Sequence, residues 1–126
     1  DPATDYPFFW GHADERGEGR GLGYNLNLPL PRKTGDEGFI AALATAIQRI
    51  NAFAPDALVV ALGLDAHESD PFGGLSVTTR GFSGIGSLVG GMKLPPVLAQ
   101  EGGYKNEALG ANLGAFLAGF RKAHGA

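Results

Sequence analysis

Two matching segments constrain the fold more than anything else in the chain. They are LVVALGLDAHESDP at Leu58–Pro71 and PVLAQEGGY at Pro96–Tyr104. Each starts as an apolar run and then breaks into polar, glycine-rich chain. Such runs read as buried strands of a parallel sheet. The first ends in Asp65 and the second leads to Tyr104, so each strand delivers one reactive side chain at its C-terminal end. Ligands of open α/β sheets gather at that end.

Helical patterns surround the two runs. Thr34-x-x-Glu37 reads as a capping box, with Asp36 also in the first turn. The helix it opens is expected to reach about Phe53, with Phe39, Ile40, Leu43, Ile47 and Ile50 on its buried face. Thr78 or Thr79 is expected to cap a second helix ending near Gly91, with Phe82, Ile85, Leu88 and Val89 inward. A third, about Glu107 to Lys122, repeats Leu109, Leu113, Phe116 and Phe120 at helical spacing. Helix, strand, helix, strand, helix from residue 36 predicts an α/β fold, a parallel sheet with flanking helices.

Residues 1–35 look different. Tyr6, Phe8, Phe9 and Trp10 form an aromatic patch; Phe8, Phe9 and Trp10 are expected in a core or subunit contact, with an exposed binding wall as the alternative. Asn25–Leu30 alternates strictly, which predicts a short strand before Pro31. Gly17, Gly19, Gly21 and Gly23 invite a dinucleotide reading, but no strand precedes them and no helix follows, so phosphate binding is rejected.

The chain has 21 glycines in 126 residues, far above the usual ~7%. Several fall in the second helix, where each costs up to ~1 kcal/mol against alanine. Close packing on a sheet is expected to hold that helix. A net charge of −3 without a basic block argues against nucleic acid. No apolar run approaches the ~18–20 residues of a membrane span. The absence of cysteine and of a signal-peptide pattern places the chain in the cytoplasm, as an expectation. Asp rather than Met at position 1 suggests a processed product or a piece of a longer protein.

A carboxylate at a strand tip can ligate a metal, act as a base or cap a loop, and Asp65 is open to all three. Asp65-x-His67 resembles half of a metal site, yet a catalytic zinc usually has three protein ligands. His12 and His124 are the other histidines, read as exposed, the latter at a frayed terminus. Asp70-Pro71 reads as a turn. Tyr104, after Gly102 and Gly103, is placed where its phenol can donate to a developing oxyanion. Glu101 is read as its second-layer partner or as a loop cap. No nucleophile elbow, Walker loop or H-E-x-x-H is present.

LGLDAHESDP followed by QEGGY resembles the zinc-dependent histone deacetylase superfamily. YPFFWGHADERGEGRGLGYNLNLPLP resembles its bacterial acetylpolyamine amidohydrolase branch. The similarity covers nearly the whole chain. It implies an arginase–deacetylase fold, with 1–126 as the C-terminal segment of one catalytic domain. It implies hydrolysis of an acetylpolyamine or acetyl-lysine amide, releasing acetate and a free amine. Carried over, Asp65 matches a zinc ligand, and Tyr104 the donor to the substrate carbonyl and its tetrahedral oxyanion. Tyr6 matches the aromatic wall of the substrate channel, where relatives more often carry Phe. Gly102 and Gly103 match the glycines that let the tyrosine swing in. The Tyr24 backbone carbonyl matches a position binding a structural monovalent cation such as potassium. His67 matches no ligand.

The family's other Asp-x-His zinc pair and its histidine dyad have no counterpart in residues 1–126. The zinc site is therefore expected to be incomplete and the chain inactive alone. A non-catalytic α/β fragment or interaction module is the alternative. Uncovered strand edges are expected to invite association, as a homo-oligomer or with another chain.

Overall fold

The computed structural model describes residues 8–104 and 107–125. The chain divides into two units, Asp1–Arg32 and Lys33–Ala126. In the second unit the elements are α1 (Asp36–Phe53), β1 (Leu58–Leu62), α2 (Thr79–Gly91), β2 (Pro96–Gln100) and α3 (Leu109–His124). The first contains a single 3₁₀ turn, Gly19–Gly21, among its described residues.

The strands pair in parallel, from Leu58 opposite Pro96 to Leu62 opposite Gln100. The ladder continues past their ends. Glu101 N–H donates to Leu62 O at 2.9 Å, and Leu64 N–H to Gly102 O at 3.1 Å. These bonds keep the Asp65 and Tyr104 loops in register beside each other.

The core joins Leu62 and Leu64 to Val77, Phe82, Ile85, Val89, Phe116 and Phe120. Burying each such side chain contributes about 1.5–3 kcal/mol, more than a typical net hydrogen bond. Leu58, Val60 and Leu98 pack against this cluster. Val59 and Val97 do not, and stay 75% and 60% exposed. The apolar runs predicted buried strands, but burial alternates from Leu58 to Leu62 and from Pro96 to Ala99. The runs carry apolar side chains for both faces, and nothing among the described residues covers the second.

Thr78 is the N-cap of α2, its Oγ1 accepting Gly81 N–H at 3.1 Å. The expected Thr34 capping box does not form. The N-cap of α1 is Gly35, without a side-chain cap. Thr34 and Gly35 are drawn into pairing with Ser76, whose N–H donates to Thr34 O at 2.9 Å. Asp36 is engaged elsewhere as well. Its Oδ1 accepts Thr78 N–H at 2.8 Å and its Oδ2 accepts the Thr78 hydroxyl at 2.7 Å. One carboxylate thus ties the start of α1 to the start of α2.

Two glycines of α2, Gly86 and Gly90, are explained by α3 rather than by the sheet, while Gly81 makes room for Asp36 and Val77. A Cβ at Gly86 would overlap the Phe116 carbonyl, and one at Gly90 the Phe120 carbonyl. From the other side, a Cβ at Gly119 would overlap the Ser83 carbonyl. The backbones approach so closely that only hydrogen fits between them. Gly86→Ala is therefore expected to destabilise by about 1–3 kcal/mol, read as a lower urea midpoint. Gly114→Ala, with open space around its Cβ, is the control. It is expected to be neutral or to stabilise by up to about 1 kcal/mol.

Three other expectations are corrected. Residues 25–30 form no strand. Pro29 and Pro31 lack the N–H a ladder needs, and the described sheet pairs only β1 with β2. Phe8, Phe9 and Trp10 are exposed, so of the two settings expected for them, core or subunit contact, the core of this chain is excluded. His124 is not frayed: its ring stacks on Phe120 at 5.1 Å, and its Nε2 lies 3.3 Å from Leu94 O.

Candidate active site at the strand ends

Asp65 follows β1 after Gly63 and Leu64, and its side chain rests in a hollow made by glycines. A Cβ at Gly63 would come within 2.7 Å of Asp65 Oδ1, and one at Gly102 would overlap the carboxylate. A Cβ at Gly73 would overlap the Asp65 carbonyl. The Asp65 carboxylate makes no hydrogen bond with any described residue. A carboxylate acting as a loop cap accepts backbone N–H groups, and this one accepts none.

Asp70 is the capping residue of this loop. Its Oδ1 accepts Phe72 N–H at 2.9 Å and Gly73 N–H at 3.1 Å, closing the turn expected at Asp70-Pro71. Its Oδ2 accepts Tyr104 N–H at 2.7 Å, from the other strand's loop. Sequence reasoning missed that bond, because a turn-forming Asp looks the same whether or not its second oxygen is used.

Tyr104 is 48% exposed, so its ring is accessible from outside. Phe72 meets that ring edge-on, with centroids 5.4 Å apart. Such a pair contributes about 0.5–1.5 kcal/mol and restrains the ring's tilt. Phe72 is another member of the site that the pattern did not signal. Gly103 has φ +125°, a conformation that keeps side chains out, and its Cβ position is crowded by Leu109 and Leu64. Glu101 is exposed and contributes its backbone N–H to the ladder. The loop is braced by Gln100, whose Nε2 donates to Gly102 O at 2.9 Å.

His67 is buried, not a surface ligand. Its ring stacks on Phe82 at 6.4 Å. Ser69 N–H donates to its Nδ1 at 3.2 Å, and the Ser69 hydroxyl lies 2.8 Å from the same nitrogen. That places the proton of a neutral ring on Nε2. His67 anchors the loop between Asp65 and Asp70 by packing.

In the first unit Glu15 organises the glycine-rich loop. Its Oε2 accepts Gly11 N–H at 2.9 Å and the Asn27 amide at 2.7 Å, while its carbonyl accepts the Asn25 amide at 3.1 Å. Tyr24 N–H donates to Gly21 O at 3.1 Å, just after the 3₁₀ turn. Tyr6 lies outside the described residues. Among the described residues, no three His, Cys, Asp or Glu side chains gather as a metal-binding group. Asp65 is a suitable ligand for a hard or borderline cation, but it supplies one donor residue of the set a zinc needs.

Residues 1–120 match the histone deacetylase domain. An acetylpolyamine amidohydrolase of Burkholderia pseudomallei is 47% identical over 120 residues, covering 95% of this chain and 35% of that protein. Acetylpolyamine amidohydrolase 1 of Pseudomonas aeruginosa is 42% identical over 98% of this chain and 36% of its own length. The crystal structure of the Burkholderia pseudomallei acetylpolyamine aminohydrolase superposes with a TM-score of 0.94 at 46% identity, covering 98% of this chain and 36% of that one. A histone deacetylase homologue complexed with SAHA gives 0.81 at 28% identity, over 98% of this chain and 33% of the other. The architecture is therefore that of the deacetylase-type α/β fold. The chain belongs to the histone deacetylase domain family, and it spans 35% of the length of the first of these relatives.

Proposed function

We propose that these residues form the part of a zinc-dependent amidohydrolase that contributes one metal ligand and the oxyanion donor. The observation that carries the reading is Asp65. Its carboxylate lies in a glycine hollow, without a hydrogen-bond partner among the described residues, at a strand tip laddered to the Tyr104 loop. Asp65 would hold the zinc, which when bound polarises an amide carbonyl and activates a water. Tyr104 donates its phenolic proton as a hydrogen bond to the oxygen on which negative charge develops. Phe72 flanks the Tyr104 ring and offers an apolar surface to an alkyl chain. Gly102 leaves room for the Asp65 carboxylate, and Gly103 permits the turn that turns the chain toward Tyr104. The Tyr24 carbonyl is proposed to help bind a structural monovalent cation.

The names of the similar proteins support an acetylated polyamine as substrate, with acetate and a free amine as products. The test is acetate release by the full-length enzyme from N-acetylputrescine and from an acetyl-lysine peptide, with metal analysis. Faster turnover of the acetylpolyamine and stoichiometric zinc are expected. Preference for the peptide would overturn the substrate assignment, and turnover insensitive to metal removal would overturn the zinc assignment. A second reading, a non-catalytic module, is favoured by the single candidate ligand and the open Val59–Val97 sheet face. Residues 1–126 alone are expected to show neither stoichiometric zinc nor turnover. Full-length protein that also showed neither would decide for the module.

A further inference from the structure

We infer that Asp70 is a positioning residue that sets the place of Tyr104, an inference that rests on the reading of Tyr104 as the oxyanion donor. Asp70 is 6% exposed. A carboxylate so deeply buried is costly unless its oxygens are occupied by donors. Three backbone N–H groups occupy them, and only two belong to its own turn. The Tyr104 N–H, at 2.7 Å, is the shortest of the three and comes from 34 residues away. A turn former needs the Phe72 and Gly73 contacts and has no need of this one.

Tyr104 needs such a tether. It follows Gly102 and Gly103, the residues that restrict the backbone least. Without an anchor, the phenol would sample many positions, and a donor acts on a transition state only when already in place. The 70–73 turn supplies two anchors. Asp70 holds the Tyr104 backbone and Phe72 touches its ring. The turn is itself held by His67, whose main chain pairs with Val77 and whose carbonyl accepts Asp70 N–H at 3.0 Å.

Asp70→Asn separates the two tasks in the full-length enzyme. An amide can turn its oxygen toward Phe72 and Gly73 and keep the turn, but its NH2 then faces the Tyr104 N–H, donor against donor. A fall in kcat of about 10–100-fold is expected, the scale of a misplaced catalytic group. Zinc content and KM are expected to hold, while amide exchange at Tyr104 accelerates. In a Tyr104→Phe background the same substitution is expected to cost nothing further, since the hydroxyl it positions is gone. Unchanged kcat in Asp70→Asn with Tyr104→Phe impaired would overturn the role of Asp70 alone. So would an equal loss in both backgrounds. Full activity of Tyr104→Phe would instead overturn the reading of Tyr104 itself. Asp70→Ser, which forms a turn but is too short to span both loops, gives the same comparison if the asparagine variant does not fold.

Discussion

Tyr104→Phe in the full-length enzyme is expected to lower kcat by about 10²–10³-fold, or about 2.7–4 kcal/mol of transition-state stabilisation, the usual worth of one oxyanion donor. The substitution removes a single oxygen. It keeps the ring that meets Phe72 and the backbone N–H that donates to Asp70. Unfolding midpoint and zinc content should therefore stay close to those of the parent, and KM should change far less than kcat. A contact made mainly in the transition state lowers kcat and kcat/KM together. Steady-state kinetics with the acetylpolyamine checks this, and unchanged turnover would place the oxyanion contact on another group.

Asp65→Asn is expected to remove zinc. The amide is nearly the same size as the carboxylate, so it fits the hollow between Gly63 and Gly102. What changes is the charge and one of the two oxygens available to a cation. Loss of a residue that only supports a metal ligand commonly costs 10–100-fold in affinity, so loss of a ligand should exceed about 100-fold. Competition with a chelator measures it directly. Activity should fall with metal occupancy and recover in part at high zinc. Full occupancy in the variant would show that Asp65 does not bind the metal.

Much of the second unit was legible in local pattern. The apolar runs became β1 and β2, helical spacing marked α1 to α3, and Thr78 proved to be the cap of α2. Local pattern misled where a tertiary partner was decisive. Asn25–Leu30 alternates like a strand, but alternation supplies no neighbour with which to pair. Thr34 has the spacing of a capping box, yet its carbonyl and Gly35 are used against Ser76. The helix glycines signalled a close approach, and at Gly86 and Gly90 it is α3 rather than the sheet that makes it.

The candidate site divides in the same way. Sequence alone determined the two strands, the end at which Asp65 and Tyr104 emerge, and, through their motifs, the family resemblance. Those follow from side-chain periodicity and from residues adjacent in the chain. Tertiary structure decided what surrounds the two side chains. It brought the glycine hollow to Asp65, gave Asp70 the Tyr104 N–H, set Phe72 against the Tyr104 ring and buried His67 under Phe82. The physical reason is separation along the chain. Asp70 and Tyr104 are 34 residues apart, and Asp36 and Thr78 are 42 apart. No local propensity encodes such bonds, which form only once burial of the Leu64, Phe82 and Phe116 core has brought the loops together.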